Sequence, residues 1–451
     1  MAMTPILEGV EAIHSRIDHA LGRLKFEGPG KGPRFNTFGQ EQSLGDIVST
    51  IIDLVAKNGD EAVSECLKLI DGADLPPEKI VVSESEIRAA KDNISAELEA
   101  SLILMAQRIE SYAKAMMPAT QTWFEGDPGR ELGVRFTPIE NIGAYVPGGL
   151  GGSTPLISTV LMNLIPAKVA GVKNIVVATP CSKDGTVHPA LLRACELAGA
   201  TTVYRAGGAQ GVAAMALGTK SCPPCSKIIG PGNAFVQEAK RQLFGRIDID
   251  MMAGPSEIGI IADSSAKASV LAADMIAQAE HDKMASSFLF STSKELLLEV
   301  QKELSQQLAS LPRGDIALAS LENFGALCLC KNLEQACAFS NRYAPEHLEL
   351  CVDEPDELLP NISHAGAIFM GHACPEVAGD YTAGPSHTLP TCGAARFASG
   401  ITVFTFLKSS SLLKYNLESL RGDLPSLTAM ARAENLEGHA RSAESRFLES
   451  T

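Results

Sequence analysis

Apolar positions repeat at two spacings along this chain. Helical spacing comes first, over residues 6–24, 44–57 and 60–69, with Asn58-Gly59 breaking the last two. It returns over 84–117, with acids early and Lys114 late, as a helix dipole favours. Residues 79–82 read as a short strand between them. At Pro138 the texture changes. Short apolar runs bounded by Gly or Pro predict strands at 141–145, 174–179, 201–205, 226–230, 258–262, 287–291, 326–330, 348–352 and 366–370. Helical spacing fills most of the gaps, at 157–170 (interrupted at Pro166), 189–197, from Gly207 onward, and at 234–243, 271–282, 294–309 and 333–341. This rhythm is that of parallel sheets with crossover helices. The expected fold is α/β, with two Rossmann-like parallel-sheet domains, a helical N-terminal arm and a helical C-terminal tail. The expected division is 1–40 for the arm, 41–144 with 256–400 for one domain, an inserted 145–255 for the other, and 401–451 for the tail. The tail is polar and has no core of its own, the pattern of a segment that packs on another subunit.

Composition narrows the partners. The 451 residues carry a net charge of -15, which disfavours nucleic acid and anionic membranes. No run of about 18 apolar residues occurs, and the first twelve residues carry Glu8 and Glu11 rather than a basic, apolar secretory signal. The 11 cysteines are odd in number and scattered, which suits reduced thiols in a cytoplasmic enzyme. Cys222-Pro-Pro-Cys225 has no second pair at zinc-ribbon spacing and reads as two thiols beside a rigid turn. Cys328 and Cys330 read as core.

Several stretches offer chemistry. In the helix 271–282, Gln278 and His281 stand three apart, on one face, flanked by Asp274 and Asp282. A carbonyl oxygen beside an imidazole is half of a metal site, and zinc wants four N, O or S donors; the same residues also fit a polar helix end. Tyr145-Val-Pro-Gly-Gly-Leu-Gly-Gly152, Gly207-Gly-Ala-Gln210 and Gly230-Pro-Gly-Asn233 each join a strand to a helix. Such turns aim backbone N–H groups at an anion such as pyrophosphate, although none is GxGxxG and a plain flexible turn has the same composition. Glu346-His347 before a strand suits an acid/base pair or a solvated loop. Neighbours in extended chain point apart, so both reach one substrate only if the backbone bends there. Residues 379–391 form a polar loop with one carboxylate, Asp380. In the tail, Glu434 and His439 stand close together. For His14, His19, His188, His364 and His372 the sequence indicates no partners, and they read as structural.

Taken together, Tyr145-Val-Pro-Gly-Gly, Ile165-Pro-Ala-Lys-Val-Ala-Gly171, Gly207-Gly-Ala-Gln, Gly230-Pro-Gly-Asn, Ala253-Gly-Pro-Ser-Glu257, Gln278-Ala-Glu-His281, Tyr343-Ala-Pro-Glu-His-Leu, Gly379-Asp-Tyr and His387-Thr-Leu-Pro-Thr resemble the histidinol dehydrogenase family, from about Leu44 to Arg446. The resemblance implies one zinc per subunit held by Gln278, His281, Asp380 and His439. It implies substrate contacts from Ser256, Glu434, the four metal ligands and His347, with Glu346 and His347 as the acid/base pair. Tyr145, Gln210 and Asn233 match the family's NAD contacts, so the inserted domain is the expected NAD binder and the other the carrier of metal and catalytic residues. The implied reaction is a four-electron oxidation of L-histidinol to L-histidine through bound histidinal. The implied assembly is a homodimer in which one chain's tail completes the partner's site. Two departures stand out: the glycine run at 148–152 is longer than usual, and Ser386 stands where an Asn is common. Paralogues that oxidise other polar alcohols, such as sulfopropanediol, keep the zinc and Glu-His residues, so these cannot separate the two substrates; His387 and Glu434, facing an amino alcohol, favour histidinol.

Overall fold

A computed structural model describes residues 4–22, 43–124, 126, 128–148 and 155–448. The Gly/Pro-rich segment 28–33 and the glycine run 149–152 lie outside them. Three sheets organise the described residues. The first is parallel and six-stranded, with β1 (Ile6–Glu8), β9 (Glu257–Ala262), β10 (Ser286–Ser291), β11 (Ala326–Leu329), β12 (His347–Cys351) and β13 (Ala367–Met370) in the order β1-β11-β10-β9-β12-β13. The second is parallel and five-stranded, with β4 (Asn141–Tyr145), β5 (Asn174–Thr179), β6 (Thr202–Arg205), β7 (Lys227–Ile229) and β8 (Asp248–Ile249) in the order β6-β5-β4-β7-β8. The third is antiparallel, with β3 (Arg130–Pro138) between β14 (Leu407–Tyr415) and β2 (Gln121–Phe124). The chain forms two compact units: Met1–Met116 with Glu140–Thr405, holding both parallel sheets, and Met117–Ile139 with Phe406–Thr451, holding the third.

Each parallel sheet is doubly wound outward from its first central strand, β9 or β4, so helices cover both faces. Strand side chains alternate between two cores. Ile258, Ile260, Leu289 and Leu327 face Leu271, Met275, Leu297 and Val300. Ile261, Phe288, Phe290, Leu348 and Leu350 face Ile13, Ile17, Phe339 and Tyr343. Burial on both faces explains why these strands read as continuous apolar runs.

Several elements differ from the sequence pattern. Ile6–Glu8 is not the start of a helix but a strand on the free edge of β11, and Gly9, at φ 90, turns the chain into the Val10–Leu21 helix. Three apolar-to-polar positions fit either period, and only the open sheet edge decides. At 79–82 only Val81 pairs, as an isolated bridge to Tyr204. The 84–117 stretch breaks after Asn93, because Ser95 caps a fresh helix, Ala96–Ala115. Pro166 does not interrupt Ile157–Ala170, whose neighbours Thr159–Ala167 are all buried. The tail is not wholly helical: it opens with the nine-residue β14, whose Lys-Ser-Ser-Ser run carries no apolar alternation and is held as strand by pairing along all of β3. The Gly314–Phe324 helix and strands β2 and β3 carried no reading at all.

Candidate active site

Glu346 and His347 sit where β12 begins. Ala344, left-handed at φ 50, and Pro345 redirect the chain just before the strand. Both acid/base candidates are buried, at 7% and 4% exposure, so the solvated-loop reading fails. The Glu346 carboxylate lies 3.8 Å from His347 Nδ1, so the pair does converge. Nδ1 also lies 3.1 Å from the Glu257 carbonyl oxygen. A carbonyl only accepts, so Nδ1 carries the proton and Nε2 keeps its lone pair. Next to it stands a carboxylate that the motifs did not mark: Glu376, 3.5 Å from His347 Nδ1 and 2% exposed.

The expected metal ligands divide. The helix carrying Gln278 runs Ala268–Ala279 and is capped by Glu280, so His281 lies beyond it rather than on a shared helical face; its N–H turns back to the Gln278 carbonyl at 3.3 Å. Gln278 is fully buried and His281 exposed. The hydrogen-bond network sets the Gln278 amide: Nε2 donates to Glu376 at 2.7 Å, and Oε1 accepts from Glu257 N–H at 3.1 Å. Asp380 lies not in a loop but in a short helix, Glu376–Tyr381, four residues after Glu376 and on its face. His347, Glu376 and Asp380 offer ligand atoms all within 4.8 Å of one another. Glu434 and His439 belong to the second unit, at the end of Leu417–Ala433 and within Glu437–Glu444, and both are exposed. Ser256 is half-buried immediately before β9.

The cluster is rich in acid. Burial, then the neighbouring Glu257, pushes the Glu346 carboxyl well above its usual range, with Glu376 and Asp380 adding to it. Glu376 is raised likewise, by burial and then Asp380. Burial lowers His347 to about 4, so it stays neutral. His387, which meets the Asp380 carbonyl at 3.1 Å through Nδ1 and Thr159 at 3.2 Å through Nε2, is lowered by the same cause. Behind them half-buried Asp274 and buried Glu349 hydrogen-bond to each other, both raised by desolvation, and Glu349 accepts from the Glu376 N–H at 2.8 Å. Neutral imidazoles and crowded carboxylates are the donor set that a borderline divalent ion takes. The residues fit a metal.

The expected dinucleotide contacts lie at the C-terminal edge of the five-stranded sheet, where open α/β sheets hold ligands. Tyr145 ends β4 and takes the Gly208 N–H on its hydroxyl at 3.2 Å. Burial pushes that phenol up to about 12. Gln210 is 1% exposed; its Nε2 donates to Asp71 at 3.0 Å, while its Oε1 has no hydrogen-bond partner among the described residues. Asn233 caps the Ala234–Leu243 helix with Oδ1, which leaves its NH2 group for a ligand. An orphaned buried acceptor beside glycine turns fits a dinucleotide.

Comparison with known proteins decides the family. A model described as histidinol dehydrogenase matches residues 37–447. The chain belongs to the histidinol dehydrogenase family. It is 46% identical to the histidinol dehydrogenase of Syntrophotalea carbinolica (strain DSM 2380 / NBRC 103641 / GraBd1), over 91% of this chain and 94% of that one. It is 47% identical to the one from Cereibacter sphaeroides, over 89% and 91%. The crystal structure of histidinol dehydrogenase from Elizabethkingia anophelis is similar with a TM-score of 0.90 at 34% identity, covering 99% of this chain and 98% of that one. As a member of this family the chain is an oxidoreductase with an α/β fold.

Within this family member, Glu376 is the residue that sequence reading missed. Its signal was present: Pro375 followed by a carboxylate four residues before Asp380 marks a helix start that aligns two acids. Cys222 and Cys225 are buried free thiols against the Pro223 carbonyl, and burial raises both, so they stay protonated. Among the histidines read as structural, His188 caps the Pro189–Ala198 helix and His14 packs edge-on against Phe339. No helix among the described residues is long and apolar enough to cross a membrane.

Proposed function

We propose that this enzyme oxidises L-histidinol to L-histidine through bound histidinal, as an NAD- and zinc-dependent dehydrogenase. Family membership carries the substrate, and the acid-rich lining of the site supports it. The groups acting most strongly on Glu346, His347, Glu376 and His387 are carboxylates and imidazoles: Glu257, Asp380, Glu349, Asp274 and His281. Such a pocket attracts a cation and repels an anion. An amino alcohol brings an ammonium group, whereas a sulfonated alcohol brings the wrong sign.

When bound, NAD⁺ would supply the hydride acceptor for each of two oxidations, and zinc, which Gln278, His281, Asp380 and His439 would hold, would mainly orient the amino alcohol. The chain supplies the proton transfers. His347 is neutral, with its lone pair on Nε2, and takes the alcohol proton there. Burial and the neighbouring Glu257 raise the Glu346 carboxyl, which favours its neutral form while the pocket lacks a cation. A cation entering among the carboxylates lowers its pKa, and the ionised carboxylate then removes a proton from the water that adds to the aldehyde. Ser256 and Glu434 complete the substrate's polar contacts, with Glu434 suited to the ammonium group.

A homodimer supports this assignment of the tail residues. The second unit leaves Trp123, Phe124, Leu413, Leu417 and Met430 exposed. Apolar side chains gathered on one unit in this way suit a second copy that covers them. The deciding experiment is NADH production by purified, zinc-loaded protein from L-histidinol and from sulfopropanediol. Two NADH per histidinol are expected. No NADH from histidinol, or a faster rate with the sulfonate, would overturn the reading.

A further inference from the structure

The helix Ala234–Leu243 buries a charge that none of the chemistry above uses. Lys240 and Asp250 form an ion pair with side chains 0% and 1% exposed. A pair this deep loses the hydration of both ions, and replacing it with apolar residues of similar volume is often neutral or stabilising. Stability alone therefore does not account for it. Its contacts do. Asp250 Oδ2 accepts the Gly230 N–H at 2.7 Å, and Lys240 Nζ donates to the Gly230 carbonyl at 3.1 Å. Both polar groups of one residue are thus clamped between the two charges. Gly230 sits at φ +107, and a Cβ there would lie 2.1 Å from the Tyr145 carbonyl oxygen, so the clamp presses the turn against the end of β4. One turn earlier on the helix, buried Gln237 repeats the device. Its Nε2 donates to the Gly232 carbonyl at 3.4 Å, and its Oε1 accepts the Ala253 N–H at 3.1 Å. The same helix face therefore holds the Gly230–Asn233 turn and the connector from Asp250 to Ala253, which leads directly to Ser256 and Glu257.

We infer that the Lys240–Asp250 pair is a positioning element that fixes the Gly230–Asn233 turn against Tyr145 and ties it to the strand carrying the substrate site, so that it sets the placement of the bound dinucleotide. This rests on the reading of that sheet edge as the NAD site. Removing one partner alone leaves a lone buried charge and unfolds the region, so the test uses double variants. Lys240→Met/Asp250→Leu removes both charges and both contacts to Gly230. Lys240→Gln/Asp250→Asn keeps a donor and an acceptor without charge. NAD⁺ binding is measured by calorimetry on metal-loaded protein, alongside KM for both substrates, kcat, zinc content and hydrogen exchange of the 228–236 peptide. In the Met/Leu variant we expect a roughly tenfold weaker NAD⁺ affinity, a matching rise in the NAD⁺ KM, faster exchange of the peptide, and an unchanged histidinol KM. Zinc content should not change. The Gln/Asn variant should recover most of the affinity. A folded Met/Leu variant that binds NAD⁺ as the parent does overturns the inference, as does a Gln/Asn variant as weak as Met/Leu. A parent enzyme that binds no NAD⁺ overturns the cofactor reading itself and the inference with it.

Discussion

His347 presents one lone pair, at Nε2, because its Nδ1 proton is committed to the Glu257 carbonyl 3.1 Å away. That commitment separates two accounts of the metal. The resemblance assigns the ion to Gln278, His281, Asp380 and His439, whereas the fold brings together His347, Glu376 and Asp380. In His347→Asn, turnover should fall by about 10²–10⁴-fold through loss of the base, with zinc per subunit unchanged by metal analysis; loss of zinc would make His347 a ligand instead. Away from the site, Asp60 shows a different use of buried charge. Burial alone would raise its carboxyl, but hydrogen bonds from Thr219, Tyr204 and Ser221 outweigh it and leave it below its usual value. A carboxyl depressed in the folded state stabilises above its unfolded pKa, and that stabilisation is lost as pH falls through the folded value. Asp60→Asn should therefore be less stable than the parent near pH 7, by about 1–3 kcal/mol, and thermal melts should show the gap closing below about pH 4. At this scale the sequence was informative about which residue types matter, but for Glu376 it offered only the local signal of Pro375 and a carboxylate four residues before Asp380. The role of Glu376 comes from meeting His347 and Gln278, residues 29 and 98 positions away along the chain.

Short elements, not long ones, place the chemistry. The long helices and the apolar strands were legible because burial on one or two faces imposes a period over many residues. The six-residue helix Glu376–Tyr381 and the left-handed Ala344 before β12 are too short for a period, yet they aim Asp380, Glu376, Glu346 and His347. The site that results lies at the N-terminal ends of β9 and β12, whereas Tyr145, Gln210 and Asn233 lie at C-terminal ends of the five-stranded sheet. One prediction belongs to the turn between β7 and the following helix. Gly230→Ala combines a left-handed backbone with a 2.1 Å overlap on the Tyr145 carbonyl oxygen. It should destabilise the protein by about 1–3 kcal/mol or more and weaken NAD⁺ binding; a melting temperature and a dissociation constant like the parent's would contradict the packing of this turn.

Across the whole molecule, the residues assigned to one reaction are divided between two compact units: Glu346, His347, Gln278, His281 and Asp380 in the first, Glu434 and His439 in the second. If the tail acts in trans, two inactive variants should rescue each other. A mixture of His347→Asn and His439→Ala chains, refolded together, contains heterodimers in which one site has a native His347 and a native partner tail, so activity should return to about a quarter of the parent's. No recovery, with heterodimers present by mass spectrometry, would place the tail in cis. The sequence by itself determined the α/β class, most of the parallel strands and the residues that belong to the family, because periodic burial and motif chemistry are local properties of the chain. Only the tertiary structure decided that Ile6–Glu8 is an edge strand, that the tail opens with β14, and that Glu376 joins the site. It also decided the burial that raises the Glu346 carboxyl and lowers His347. Each of these depends on partners brought close by folding: an open sheet edge, a neighbouring strand, or carboxylates crowded together out of water.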